Sequence, residues 1–383
     1  MKQALILALV AAAALSACGG GDSGSPAVVA DGGVAVDKIT EASTATAKAA
    51  GLTVIAAATD EETYEVVADI GDTWRITLNA RTGAYNIKVM TTQFGLQSQS
   101  GVSVRTVSGN LVIYTANAPG KFVLVIDTRT KSIAGNVTLG GRAATVAGTN
   151  YAVPDLSKLA GIYSYFGSQR NAVDGSNGEF LAGQLRIAAN GATATICDGG
   201  RIDTSDNCTP VGTRELSKQT VTLTKNSATA LIDVKINGTN FGILNVKAGD
   251  RGPVLLIDRF GFNNSGAGTV RRVGNIYAVK STRLTGNELD GNYTCSISGA
   301  DVAGLTVAGT GATITQLAPR KVTQEVLAYN QLATTGQILN FDGVVTSRVP
   351  GESVADAANL LPLSSTLFVV EGDRSTGLCR KTN

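Results

Sequence analysis

The side chains that could carry chemistry in this 383-residue chain are its five cysteines and its 30 acidic residues, because the chain contains no histidine. Ser-His-Asp and Cys-His catalysis and histidine-ligated zinc, copper or iron are therefore excluded. Catalysis by a pair of carboxylates is the class of enzyme chemistry that remains. A glycosidase, for example, needs two Asp or Glu groups about 5–9 Å apart. The sequence singles out no such pair and no Ser-Lys nucleophile at S-x-x-K spacing. We therefore expect a protein without catalytic residues.

Cys18 ends a segment that has the properties of an export signal. Residues 1–17 read MKQALILALVAAAALSA, in which Lys2 is the only charge and the run Ala4–Ala14 is entirely apolar. This run is shorter than the roughly 20 residues that a membrane-spanning helix needs. A basic start, a short apolar core and small residues at the end predict a secretory signal peptide over residues 1–17.

The sequence Leu15-Ser16-Ala17-Cys18 resembles the lipobox of bacterial lipoproteins at all four positions. The resemblance implies that the Cys18 thiol carries a diacylglyceryl group and that Cys18 becomes the acylated N-terminus after cleavage. Gly19 stands where an Asp would signal retention in the inner membrane, so the resemblance favours the outer membrane of a Gram-negative bacterium. Several acyl chains, each CH₂ contributing about 0.8 kcal/mol, make such an anchor persistent.

The other four cysteines form an even set in a chain that we expect to be exported, which favours disulfides. Four cysteines permit three pairings. We favour Cys197 with Cys208, which closes a short loop, and Cys295 with Cys379, which joins the beginning of the last segment to its end. A structural zinc site is the alternative, and the absence of both a C-x-x-C motif and histidine disfavours it.

The chain after Cys18 is predicted to be a tether followed by β domains. Residues 18–60 are rich in Gly, Ser and Ala and indicate a flexible tether with one short helix over 37–51. Residues 61–154 alternate apolar and polar side chains, as in Trp74-Arg75-Ile76-Thr77-Leu78, and turn sequences separate these runs. This pattern predicts an N-terminal domain of antiparallel strands.

The second half contains an internal repeat. LAGIY at 159–163 matches LDGNY at 289–293, and GQLRIAANGATAT at 183–195 matches AGLTVAGTGATIT at 303–315. A third match joins LNVKAGDR at 244–251 to LFVVEGDR at 367–374. We interpret these matches as two related β modules over residues 155–280 and 281–383.

The L-x-G-x-Y sequence at the start of both modules resembles the first strand of calycin-type barrels. Those barrels have G-x-W at this place, and the aromatic ring closes one end of the barrel; here Tyr163 and Tyr293 replace the tryptophan. The resemblance implies a small antiparallel barrel or sandwich for each module and implies nothing about a ligand. The whole chain is therefore expected to be all-β.

Candidates for binding residues come from the repeat and from the aromatic side chains. The sequence GDR contributes Asp250 and Arg251 in one copy and Asp373 and Arg374 in the other. This pair could be a binding determinant, and a duplicated β-turn explains it equally well. In YSYF at 163–166, we expect Tyr163 to be internal and Tyr165 to face a groove. No metal site is predicted, because the acidic loops lack the order of known calcium loops.

The 32 basic and 30 acidic residues nearly balance, so neither nucleic acid nor anionic lipid is expected as an electrostatic partner. We predict a lipoprotein that acts as a non-catalytic binding, adhesion or structural module at the outer membrane, on its periplasmic or surface face. The alternatives are a carboxylate-based glycan hydrolase and an accessory lipoprotein of an outer-membrane assembly. Beyond the membrane itself, the expected partner is an envelope protein, a glycan or a small apolar ligand. No cofactor is expected apart from the lipid on Cys18.

Overall fold

The computed structural model describes residues 37–212, 215–262, 270–334, 337–371 and 376–382. Almost all regular structure in these ranges is β, and the sheets are antiparallel, which confirms the predicted all-β class. The signal segment, Cys18 and the first part of the predicted tether lie outside the described residues. No helix within the described ranges is long and apolar enough to cross a bilayer.

The described chain begins with helix α1 (Lys38–Ala49). Asp37 caps it, since its carboxylate accepts a hydrogen bond from the Ile39 amide at 2.7 Å, and the chain leaves the helix at Ala50 and Gly51. The Ser43 hydroxyl donates to the Ala248 carbonyl oxygen at 2.8 Å, which ties the helix to a strand of the first barrel described below. Residues 37–52 of the predicted tether are therefore packed structure, whereas residues 56–60 are exposed and form neither helix nor strand.

The N-terminal domain is a nine-stranded sheet in the order β5-β4-β3-β2-β10-β9-β8-β7-β6. Its strands are β2 (Glu61–Ala68), β3 (Asp72–Asn79), β4 (Ala84–Thr91), β5 (Gln99–Val102), β6 (Val104–Ser108), β7 (Leu111–Ala116), β8 (Lys121–Asp127), β9 (Ser132–Leu139) and β10 (Arg142–Thr149). Two further short strands, β1 (Thr53–Val54) and β11 (Tyr151–Ala152), pair with each other. Only Ser103 separates the two edge strands β5 and β6 along the chain, and Tyr85 of β4 packs against Phe122 of β8, so the sheet is rolled upon itself. Trp74, Tyr85 and Phe122 lie in the core that this roll encloses.

The first barrel is a closed antiparallel barrel of eight strands, preceded by a 3-10 helix over Leu156–Leu159. Its strands are β12 (Gly161–Asn171), β13 (Glu179–Ile187), β14 (Thr193–Asp198), β17 (Ser217–Lys225), β18 (Ile232–Ile236), β19 (Thr239–Gly249), β20 (Gly252–Phe262) and β21 (Arg271–Lys280). Pairing of β12 with β21 closes it. A small hairpin of β15 (Gly200–Ile202) and β16 (Cys208–Pro210) is inserted between β14 and β17.

The second barrel is also closed and eight-stranded. Its strands are β22 (Gly291–Ile297), β23 (Ala300–Ala308), β24 (Gly311–Leu317), β25 (Arg320–Thr334), β26 (Gln337–Arg348), β27 (Ala358–Ser364), β28 (Leu367–Glu371) and β29 (Thr376–Lys381), with a 3-10 helix over Val354–Asp356. Pairing of β22 with β29 closes it. Both repeated modules are therefore barrels, and the sandwich alternative does not apply.

The repeat seen in the sequence follows the barrel order only in part. The first two matches fall on the first three strands of each barrel, as duplication requires. The third match does not, because LNVKAGDR begins on the sixth strand of the first barrel whereas LFVVEGDR begins on the seventh strand of the second. The two matching stretches therefore begin on strands that are not equivalent in the two barrels.

One apolar cluster lies where the outer faces of the rolled sheet and of both barrels meet. Val67 comes from the sheet, Phe166 and Tyr277 come from the first barrel, and Phe341 and Leu361 come from the second. All five side chains are almost completely buried. Burial of apolar surface on this scale stabilises a fixed arrangement of the three β units.

Candidate functional site

Both barrels are closed at one rim by the same pair of residue types. Tyr163 is fully buried and pairs across the barrel seam with Lys280, whose Nζ lies 4.5 Å from the centre of the tyrosine ring. Tyr293 pairs with Lys381 at the same place in the second barrel, at 5.9 Å. An ammonium group over an aromatic face is a favourable cation–π contact. Burial lowers the pKa of Lys280, and the pKa of each tyrosine is raised mainly by burial.

The glycine of each L-x-G-x-Y motif makes room for this lysine. Gly161 and Gly291 have φ values of +134° and +139°, a region that other residues rarely adopt. A Cβ on Gly161 would lie 2.5 Å from the Nζ of Lys280, and one on Gly291 would lie 2.5 Å from the Cε of Lys381. The motif thus supplies a tyrosine to cover the barrel end and a glycine that lets the lysine approach.

The second barrel encloses a cavity of about 410 Å³ on the other side of this closure. Its wall consists mainly of inward-facing aliphatic and aromatic side chains and includes the pair Cys295 and Cys379. The principal apolar residues are Ala303, Leu305, Ala312, Ile314, Leu327, Leu360, Phe368 and Val370. An eight-stranded barrel is just wide enough either to be filled by side chains or to hold one small ligand, and this one retains open volume.

Polar side chains of this cavity gather at the rim opposite Tyr293. Alternate strands of an antiparallel barrel run in the same direction, so the ends of β24, β26 and β28 lie at one rim. These strands place Gln316, Ser347 and Glu371 close to their ends, and Glu325 of β25 reaches the same region. The Ser347 hydroxyl donates to Glu325, and the Asn359 amide donates to Glu371. The rim therefore presents oriented carboxylates to an apolar chamber.

The two predicted cysteine pairs, Cys197 with Cys208 and Cys295 with Cys379, lie at disulfide distance, which confirms both. Cys295 and Cys379 face each other across the strands that close the second barrel. Within the described ranges, no group of three or more Cys, Asp or Glu side chains converges to hold a metal ion.

Asp250 and Arg251 lie in the contact between the barrels and line neither barrel interior. Asp250 accepts a hydrogen bond from the Ser365 amide at 3.1 Å, across the two barrels. Arg251 packs beside Leu284 and Pro362, and burial lowers the pKa of its guanidinium. The hydrogen bond of Asp250 thus joins the barrels, whereas the three guanidinium nitrogens of Arg251 are buried without a hydrogen-bond partner among the described residues. Asp373 and Arg374, the other copy of this sequence, lie outside the described residues.

Tyr165 lies inside the first barrel, on the same face of β12 as Tyr163, and its hydroxyl donates to Asp198 Oδ1 at 2.8 Å. Apart from Cys295 and Cys379, which were predicted as a disulfide, the residues that line the second-barrel cavity were not singled out from the sequence. The alternation on β23, where Ala303, Leu305 and Val307 are buried on one face, predicts an inward-facing surface. It does not show whether that surface encloses open volume.

No protein-family model matches the chain, and no curated protein is detectably similar to it. Function is therefore inferred from the geometry of the two barrels.

Proposed function

We propose that this protein is a lipid-anchored envelope lipoprotein whose second barrel binds a small, mainly apolar ligand. The observation that carries the proposal is the open chamber of about 410 Å³ between the Tyr293 closure and a polar rim. Ligand pockets in proteins typically enclose about 300–1,000 Å³ and combine apolar walls with a few polar groups. This chamber has both properties.

The carboxylates at the polar rim indicate the chemistry of the ligand's polar head group. Glu325 and Glu371 are carboxylates that accept hydrogen bonds from Ser347 and Asn359. A ligand head that donates hydrogen bonds, such as a hydroxyl or an ammonium group, would be stabilised beside them, whereas a carboxylate head would meet like charge. We therefore expect an apolar body with a neutral or cationic head.

Displacement of a fluorescent probe from the full-length protein tests the binding proposal. N-phenyl-1-naphthylamine is the probe, and dodecylamine, dodecanol and dodecanoate are competitors that share one chain length. We expect the amine and the alcohol to displace the probe at concentrations at least tenfold lower than dodecanoate. Stronger displacement by dodecanoate would overturn the assignment of the head group.

Two variants of one strand locate the binding site. Ala303 faces the cavity from β23, and Ala308 at the end of the same strand is exposed. Ala303→Phe fills the cavity and should weaken probe binding at least tenfold, whereas Ala308→Phe should leave it unchanged. Failure of the wild type to bind the probe, or binding unaffected by Ala303→Phe, would refute ligand binding in the second barrel.

The membrane anchor rests on the lipobox resemblance at Leu15–Cys18 and has its own test. Cys18→Ser removes the thiol to which lipid would be attached, so the variant should be released from cells by aqueous extraction, while the wild type partitions into detergent. Continued partitioning of the variant into detergent would show that Cys18 is not the anchor. This result would leave the ligand proposal intact.

A further inference from the structure

We infer that the first barrel carries a second and chemically different binding site, a polar cavity that takes a neutral saccharide. The inference is independent of the apolar site proposed for the second barrel. It rests on a cavity of about 560 Å³ in the first barrel, at the rim opposite the Tyr163 closure. Both barrels thus have the same kind of Tyr–Lys closure, but the second encloses an apolar cavity and the first a polar one.

Strand direction brings the polar residues of this cavity together. Gln169 near the end of β12 and Asp198 at the end of β14 lie at the same rim as Glu179 at the beginning of β13 and Gln219 near the beginning of β17. Each of these side chains lines the cavity. The corresponding rim of the second barrel opens into an apolar chamber.

Hydrogen bonds hold the acidic groups of the wall in place. Asp198 accepts from the Tyr165 hydroxyl at 2.8 Å and from the Ala182 amide at 3.1 Å. Glu179 accepts from Gln169 at 2.9 Å and from Arg272 at 3.3 Å. The wall therefore offers amide, hydroxyl and carboxylate groups that are already oriented, as specific polar recognition requires.

A buried arginine and an aromatic ring complete the wall. Arg259 is 2% exposed, and its guanidinium carbon lies 4.1 Å from the centre of the Phe241 ring. Its Nη1 donates to the Phe260 carbonyl oxygen at 2.6 Å, which fixes the guanidinium at the edge of the cavity. Phe241 itself lines the cavity together with Leu181 and Ile196, which provide an apolar surface between the polar groups.

This mixture of groups favours a neutral polyhydroxylated ligand. Sugar hydroxyls both donate and accept hydrogen bonds, and the described part of the wall contains donors such as Lys218 and acceptors such as Glu215. The C–H face of a sugar ring can pack on the apolar surface of Phe241. Among the described residues of the wall, the cations Arg259 and Lys218 are opposed by Glu179, Asp198 and Glu215, so neither sign of charge dominates there.

Calorimetric titration of the full-length protein in mild detergent tests this inference. The probes are N,N′,N″-triacetylchitotriose and maltotriose, which are neutral, and trigalacturonate, which is anionic. We expect at least one neutral trisaccharide to bind and to remain intact. Gln219→Ala, a change at an exposed rim residue, should weaken its binding at least tenfold, and Gln169→Ala should do the same.

Gln316→Ala is the matched control, because Gln316 lies at the rim of the second barrel. It should leave saccharide binding unchanged, and both first-barrel variants should still bind N-phenyl-1-naphthylamine as the wild type does. The inference is overturned by absence of neutral-saccharide binding, by tighter binding of trigalacturonate, or by binding that survives both first-barrel variants. Cleavage of either neutral probe would instead indicate a hydrolase.

Discussion

Lys280 Nζ lies 4.5 Å from the centre of the Tyr163 ring, and the two residues are direct partners where the first and last strands of the barrel meet. Tyr293 and Lys381 repeat this relationship in the second barrel. The repeated pair closes one rim in each barrel and leaves the other rim open. Binding residues can therefore differ between the barrels without a change in how each barrel closes.

Lys280→Met tests the energy of this closure. Methionine keeps an apolar stem but removes the ammonium group, with its contact to Tyr163 and its 2.6 Å hydrogen bond to the Ala160 carbonyl. We expect a loss of about 1–2 kcal/mol in the free energy of unfolding, measured by urea denaturation. Lys381→Met should cost less, because its ammonium lies 5.9 Å from the Tyr293 ring. A larger loss for Lys381→Met would contradict this account.

Gly291→Ala tests the backbone requirement of the L-x-G-x-Y motif. The φ value of +139° and the approach of the Lys381 side chain predict a loss of about 1–3 kcal/mol in the free energy of unfolding. Gly304→Ala in the same barrel is the control, since the nearest atom to its added Cβ is the Tyr293 carbonyl oxygen at 4.0 Å. We expect the control to change stability by less than about 1 kcal/mol in thermal unfolding. Equal losses in both variants would reject the motif's special role.

Period-two alternation was sufficient to predict strands such as β3, whereas β2 and β10 are buried continuously and do not alternate. Trp74, Ile76 and Leu78 are all fully buried on one face of β3, because a strand that covers a core must place alternate side chains inward. The same alternation could not reveal the cavity. Leu185 in the first barrel and Leu305 in the second both face inward from the second strand, yet only Leu305 lines a cavity. Open volume depends on how side chains from all eight strands fill the barrel, which no single strand pattern contains.

The two disulfides should differ in their contribution to stability. Cys295 and Cys379 are 84 residues apart, whereas Cys197 and Cys208 are 11 apart. A longer loop loses more chain entropy when it is cross-linked in the unfolded state. Replacing Cys295 and Cys379 with alanines should therefore lower the free energy of unfolding by about 4–5 kcal/mol, and replacing Cys197 and Cys208 should lower it by about 3 kcal/mol. Guanidinium denaturation of the two double variants measures both. A greater loss from the shorter loop would contradict the entropic explanation.

Asp69 should make the stability of the protein depend on pH. Its side chain is buried and accepts a hydrogen bond from the Thr145 amide at 3.1 Å; burial raises the pKa of its carboxyl from 3.8 to about 6. Between about pH 4 and 6, the folded protein keeps a proton that the unfolded chain has lost. Raising the pH through this window therefore decreases the free energy of unfolding, by up to about 3 kcal/mol, and the decrease is complete above pH 6.

Asp69→Asn removes this titration while keeping an oxygen that accepts the Thr145 hydrogen bond. Relative to the wild type, the variant should gain stability from pH 4 to pH 7 in urea denaturation. Asp301→Asn is the opposite case, because burial opposes ionisation of Asp301 but hydrogen bonds from Arg380 and Ser296 lower its pKa overall. That variant should lose stability relative to the wild type as the pH rises towards about 4, and the difference should stay constant at higher pH. A constant difference between Asp69→Asn and the wild type across this range would show that Asp69 titrates alike in both states.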